Sequence, residues 1–385
     1  MNEIELTEEL SYDFKNEKKR YFQVDLLKSL MIFLVILDHT VAYANLYGEG
    51  FELWERIAIP MFLIIMGFNM GHSFMREGDK SLRELYSWNY FKKKFWRYVY
   101  PYIILYVVGT IFGFILYGAA FPDTFNENWF LEYIIFQKTL LEGPGNWFIP
   151  VLFQSIIIMP LIYKAFSKWP NLSLILCFII EFFMHLTLFF IFGEITTLAE
   201  LLREQNFRYN ILLYLSAIGM GMWFSKNHDL FNKKNYFVWI LFPISLLYMI
   251  AWDFFDFRLA IDGAEIVRGG YNYLTFIYSA FLFLVAMKLI SENPKRKITK
   301  FFTKISNATF HIYLTQDIYF IISYVIYDPI WQGNPVLANI FGIQSNDFFV
   351  NACMLILNWI ICISCGVLWW YVDYKLIKYR LSKKT

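Results

Sequence analysis

Ten blocks of apolar residues, each close to the length a helix needs to cross the hydrocarbon core of a bilayer, run through this chain of 385 residues. They lie at about 25 to 47, 54 to 75, 98 to 118, 146 to 166, 172 to 193, 209 to 225, 236 to 255, 271 to 290, 306 to 328 and 348 to 371. In lipid each backbone N–H and C=O must be satisfied internally, which a helix does by itself, so the pattern predicts an all-α, polytopic membrane bundle of about ten transmembrane helices. Composition agrees, with 58% apolar and only 17% charged residues, where soluble domains carry about a quarter charged. A soluble multidomain enzyme is excluded. The lipid bilayer is an expected partner and nucleic acid is not. The chain divides into an N-terminal tail over 1–24, a membrane domain over 25–371 and a C-terminal tail over 372–385. A block at 129 to 141 is too short to cross and reads as an interfacial or re-entrant piece before Gly143, Pro144 and Gly145.

Cytoplasmic loops carry the Lys and Arg excess, and this fixes an orientation. With both termini in the cytoplasm, 27 of the 34 basic residues fall on that side, and the outer loops hold Arg203, Arg208, Arg258 and Arg268. The net charge of +2 hides this gradient. The acidic opening MNEIELTEEL lacks the basic start and cleavage site of a signal peptide, so the N-terminus is expected to be retained. Cys177, Cys353, Cys362 and Cys365 all lie in apolar blocks, which argues against disulfides and metal sites. No metal cofactor is expected, and the absence of internal repeats gives no support to a repeat-built transporter.

Ionisable residues inside a span are costly and therefore mark function. Span one, VDLLKSLMIFLVILDHTVAY, holds Lys28 and His39, about three helical turns and roughly 16 Å apart on nearly the same face. An ideal helix places Asp25 within about 60° of them and turns Asp38 about 100° from His39, so the imidazole's partner is expected from another helix. The alternative is a packing His39 and a Lys28 that snorkels to the headgroups. In span five, Glu181 and His185 are an i, i+4 pair, either a proton relay or a self-neutralising structural pair. His72 and His228 read as solvated or interfacial. Gly67 and Gly71 form a GxxxG suited to helix packing. Span nine opens KISNATFHIYLTQDIYF, where Ser306, Asn307, His311, Gln316 and Asp317 read as a cavity wall or as interhelical hydrogen-bonding groups. The basic run FKKKFWR before span three is topogenic, headgroup-binding, or a clamp for a phosphorylated ligand.

In this order the pieces resemble the integral-membrane acyltransferase family called acyltransferase type 3. That family's first span has Arg, ten residues, then His; Lys28 and His39 keep the spacing with Lys in place of Arg. IPMFLIIMGF resembles its PxFFxxSGF stretch, with Met66 where Ser is usual. Lys94, Arg97 and Pro101 match a basic RxxR followed by Pro, again with Lys for the first Arg. GNWFIPVLFQSIIIMPLIY is similar to its WFLxxLL and PLI helix, through Trp147 and Pro160. ISNATFHIYLTQ resembles its iSxxxxxIYLxH motif, with Ser306 and Tyr313 kept and Gln316 where His is common.

The resemblance implies an enzyme that moves an acyl group, acetyl above all, from cytoplasmic acyl-CoA to a hydroxyl of an envelope glycan, glycolipid or small glycoside at the cell membrane. It implies phosphate contacts from Lys28, Lys94 and Arg97, with acetyl-CoA or another acyl-CoA as donor. His39 beside Asp38 becomes a general base or a transient acyl carrier, and the general base is preferred because direct transfer needs one proton acceptor. Trp147, Ser306, Tyr313 and Gln316 are the substrate-binding candidates. Trp129, Trp147, Trp252 and Trp331 suit either a sugar face or an interfacial belt. The competing classes are a proton-coupled transporter or acyl-group exporter and a non-catalytic scaffold.

Overall fold

The computed structural model describes residues 20–40, 50–117, 145, 147–192, 207–261, 264–267, 270–292, 294–331 and 348–382. Ten helices stand where the ten apolar blocks were read: α1 (Phe22–Asp38), α2 (Ala58–Arg76), α3 (Tyr100–Tyr117), α4 (Phe148–Lys168), α5 (Pro170–Phe192), α6 (Leu215–Lys226), α7 (Tyr236–Phe255), α8 (Tyr273–Leu289), α9 (Arg296–Trp331) and α10 (Phe348–Ser382). Six stretches, containing α2, α3, α4, α5, α7 and α10, are long and apolar enough to cross a membrane, while α6 and α8 are apolar but shorter. The one sheet among the described residues is a two-stranded antiparallel ribbon, β1 (Ala260–Ile261) with β2 (Ala264–Glu265).

Small residues explain which helices meet at the centre. α2 and α6 make the most intimate crossing of the bundle. A methyl added at Gly67 or Gly221 would overlap the backbone carbonyl of Ile218 or Ile64 on the facing helix, and one at Gly71 would overlap Ser225. The GxxxG of α2 therefore packs, as read from the sequence. Around this core, α4, α5, α7 and α10 turn large apolar side chains outward, among them Ile157, Leu161, Ile179, Phe183, Ile240, Ile244, Ile360 and Leu368. Water would penalise such faces and lipid solvates them.

Polar groups inside the bundle repair backbone defects. Pro160 has no N–H for the carbonyl of Ile156, and that carbonyl accepts instead from the Tyr90 hydroxyl at 2.8 Å. The short 3₁₀ segment Ile211–Tyr214 and α6 begin deep in the protein, where their first N–H groups need acceptors. Gln154 takes the N–H of Ile211 at 2.8 Å, Asn210 that of Leu212 at 3.0 Å and Glu181 that of Ser216 at 2.8 Å.

Two expectations about spans change. α1 ends at Asp38, with His39 as its C-cap, rather than running to 47. Residues 41–47, the block at 129 to 141 with Trp129, Arg203, Asp262, Arg268 and the side chain of Trp331 lie outside the described residues. At the other end of the chain α10 passes 371 without a break, and Asp373 within it is buried.

Candidate functional site

α1 and α9 run side by side and in the same direction, and polar groups are strung along the seam between them. At the end where both begin, the carboxylate of Asp25 accepts from Arg20 Nε at 2.5 Å and Nη2 at 3.0 Å, from Thr303 Oγ1 at 3.0 Å and from Ser306 Oγ at 2.7 Å. One buried acid thus binds an N-terminal arginine to two hydroxyls of α9. The Ser306 backbone carbonyl in turn accepts from Lys28 Nζ at 2.5 Å. Lys28 is thus held on α9 rather than simply reaching out to headgroups, and the Ser306 hydroxyl donates to Asp25.

Two further cations come to the same end. Trp88–Lys94 leads through a π-helical turn, Phe95–Val99, into α3. The extra residue per turn breaks the α-helical register at the basic motif, a distortion that recurs at functional sites. Arg97, in this turn, is exposed, lies over the Tyr98 ring at 5.2 Å and acts electrostatically on both Lys28 and Lys94. Lys94 Nζ contacts Met70 Sδ at 2.9 Å and faces the rings of Tyr90 and Tyr98. Among the described residues none of these three cations forms an ion pair with a carboxylate. Three cations thus gather at one end of the seam, a concentration of positive charge of the kind that attracts anions.

The other end of the seam holds His39. Its Nδ1 lies 3.6 Å from Asp38 Oδ2. The acid that acts on His39 is thus its neighbour in sequence, although at this distance the contact is electrostatic rather than a hydrogen bond. His39 Nε2 is turned toward Gly145, whose φ of +99° belongs to the left-handed region; a Cβ there would lie 3.6 Å from Nε2 and 3.3 Å from the Tyr313 hydroxyl. That hydroxyl donates to the Gly145 carbonyl. Phe320 meets the imidazole edge-on at 5.9 Å. Arg56 also acts on His39, and its guanidinium bonds the Tyr271 hydroxyl at 3.3 Å.

Trp147 stacks on Tyr214 and on Tyr271, both at 5.6 Å, and so joins the same cluster. Thr40 accepts from Asn358 of α10 at 3.0 Å, and Asn358 accepts from Tyr319 at 2.8 Å, which ties α1, α9 and α10 together one residue beyond His39. Gln316 is fully buried, and neither atom of its amide has a protein partner among the described residues. A buried amide in that state keeps its donors and acceptor open to another polar group.

Other singled-out residues are placed elsewhere. Glu181 and His185 form no ion pair with each other; the carboxylate serves the N-terminus of α6, which makes its role structural. His311 Nε2 lies 3.0 Å from Asp373 Oδ2, a buried pair between α9 and α10 on the side away from Lys28. His72 and His228 are half-buried in a ring cluster with Tyr21 and Phe68 rather than solvated. Trp252 is buried beneath Arg258, 4.0 Å from its ring. Cys177 and Cys362 are buried free thiols, and among the described residues no group of three or more His, Cys, Asp or Glu is arranged to hold a metal ion. Arg20, Thr303, Arg56 and Tyr271 carry no signal in the sequence; each acquires meaning from a partner far away in the chain.

A family model described as an acyltransferase domain matches residues 21–374. No curated protein and no solved structure matches the chain.

Proposed function

Because the chain belongs to the acyltransferase type 3 family and is an integral-membrane acyltransferase, its domain spanning residues 21–374, we propose that it transfers an acetyl or other acyl group from acyl-CoA to a hydroxyl of an envelope glycan, glycolipid or small glycoside. The observation that carries this reading is the seam between α1 and α9. A cluster of cations lies at one end of it and an acid–imidazole pair at the other, eleven residues and roughly 16 Å further along the helix. Acyl-CoA has the matching shape: a highly charged nucleotide at one end, a thioester at the other and a thin flexible arm between.

In this reading Lys28, Lys94 and Arg97 hold the phosphates, Arg97 with the fork geometry that suits phosphate oxygens and the lysines as point charges. His39 carries its proton on Nδ1, toward Asp38, and presents Nε2 to the acceptor. Nε2 takes the proton of the acceptor hydroxyl as its oxygen attacks the thioester carbonyl; the C–S bond breaks, and the CoA thiolate leaves and recovers the proton from the imidazolium. Gln316, Tyr313 and Trp147 line the place where acceptor and carbonyl meet. All ten helices cross the cell membrane, both termini face the cytoplasm, and the cation mouth opens to the cytoplasmic pool of acyl-CoA.

Incubating membranes containing the protein with radiolabelled acetyl-CoA tests this. Label should pass to an extractable glycan or glycolipid, and His39→Ala membranes should transfer none above background. Label that stays in acetyl-CoA with every acceptor fraction offered sinks the reading.

A further inference from the structure

At the end of the bundle where the cations gather, a cavity of about 420 Å³ opens between the ends of α2, α6 and α8, lined by Tyr21, His72, Lys226, His228, Asp229 and Lys288 among others. This volume is in the range of small-molecule sites. Three rings stand together in its wall. Tyr21 lies 5.3 Å from His72 at an interplanar angle of 34° and 5.0 Å from His228 at 81°, and the fully buried Phe68 supports both imidazoles at 4.5 and 5.6 Å. Its charges cancel. Lys226 and Lys288 face Asp229 and Glu292, with Lys226 Nζ donating to the Phe166 carbonyl at 2.7 Å and Lys288 Nζ 3.9 Å from Asp229 Oδ1.

We propose that this cavity is the subsite for the adenine base of the acyl donor. The inference rests on the acyl-CoA reading above and gives a place to the part of the donor that the cations do not explain. A cavity with three rings on one wall and no net charge suits a flat, neutral, π-rich group. Position agrees as well. Tyr21 precedes Lys28 by seven residues, close to two helical turns and roughly 10 Å, on the same side of α1. A nucleotide whose phosphates lie at Lys28 and Arg97 thus has its base within reach of Tyr21, His72 and His228.

The test crosses two donors with two variants. His228→Ala should raise the KM for acetyl-CoA on the order of tenfold, the usual effect of one lost stacking contact. The same substitution should leave the KM for acetyl-4′-phosphopantetheine, which lacks the adenosine, equal to the parent's. His228→Phe, which keeps a ring, should recover most of the loss on acetyl-CoA. An equal rise on both donors, or a parent that does not distinguish them, overturns the subsite while leaving the acyltransferase reading intact. A parent that consumes neither donor overturns the acyl-CoA reading and this inference with it. Should His228→Ala fail to yield folded protein, inhibition of the parent decides: adenosine 3′,5′-bisphosphate should inhibit more strongly than ribose 3,5-bisphosphate, and equal inhibition overturns the subsite.

Discussion

The ammonium of Lys28 is tied to the backbone carbonyl of Ser306, 2.5 Å away on a helix that begins some 270 residues later in the chain. A carbonyl takes up one N–H of the amine and carries no formal charge of its own, so further donors remain for a ligand. Asp25, the nearby acid, accepts from Arg20, Thr303 and the Ser306 hydroxyl and makes no direct ion pair with Lys28 among the described residues. The network therefore holds Lys28 in position on α9.

Asp25→Ala should damage both stability and donor binding. It leaves the hydroxyls of Thr303 and Ser306 without their acceptor inside the protein, at about 1–3 kcal/mol for an unsatisfied buried group. The ion pair adds little to this, because the Arg20 side chain is 45% exposed. Thermal unfolding in detergent should show a lower midpoint for Asp25→Ala, with a raised KM for acyl-CoA. An unchanged midpoint means that the four hydrogen bonds contribute nothing to the fold.

Loss of the imidazole should abolish chemistry while preserving the protein. Removing a general base typically costs 10² to 10⁴-fold in turnover, so His39→Ala should retain a parent-like elution profile and CoA affinity with kcat down by about that factor. Asp38→Asn should cost less: its oxygen is 3.6 Å from Nδ1, beyond a good hydrogen bond, and acts mainly through its charge. Turnover of labelled acetyl-CoA by the three proteins measures this, and an Asp38→Asn enzyme slower than His39→Ala would reverse the assigned roles.

The helices were legible in the sequence because length and apolarity alone decide what lipid tolerates, and the Gly67 and Gly71 spacing announced a close crossing. The end of α1 was not legible. Residues 41 to 47 continue the apolar block past His39, so hydropathy carries no signal that the helix stops at Asp38. Arg20 and Asp25 stood close in sequence, but the acceptors and donors that give them a role come from α9. The π-helical turn around Arg97 leaves no mark in composition, although the basic motif within it did. Glu181 looked like chemistry because it is an acid in a span; its service to the buried start of α6 is visible only once Ser216 is beside it.

Two glycines should respond to the same substitution in opposite ways. At Gly221 a methyl group meets the backbone of Ile64, which cannot swing aside, and overpacking of this kind costs about 1–3 kcal/mol or more. At Gly109 in α3 nothing lies within 4 Å of an added Cβ, and Ala is favoured over Gly inside a helix by about 0.5–1 kcal/mol. Unfolding midpoints should therefore fall for Gly221→Ala and hold or rise for Gly109→Ala; the reverse order would show that α2 and α6 do not cross closely.

The orientation prediction follows from the basic end. Lys80 shares that end with Lys164, whereas Asp256 follows α7 at the opposite one. In a background with the native cysteines replaced, an impermeant thiol reagent applied to intact cells should label a cysteine introduced at 256 and spare one at 80. Labelling at 80 with protection at 256 would put the cations outside, away from any cytoplasmic donor.

Arg97 carries the sharpest prediction for the donor site. It is the one position in the basic motif with a guanidinium, it is exposed, and the π-helical turn sets it facing the same region as Lys28 and Lys94. A lost charge-assisted contact is worth about 1.5–3 kcal/mol, so Arg97→Gln should bind CoA roughly tenfold or more weakly. Removing a cation also relieves repulsion on Lys28 and Lys94, so the protein itself should not lose stability. The binding deficit should shrink as salt rises, because screening erodes the parent's advantage and leaves the variant little to lose. Calorimetric titration with CoA and with dephospho-CoA, at two salt concentrations, supplies the numbers. If parent and Arg97→Gln bind both ligands equally, the FKKKFWR run is a topogenic signal, and the phosphates must be sought away from the seam between α1 and α9.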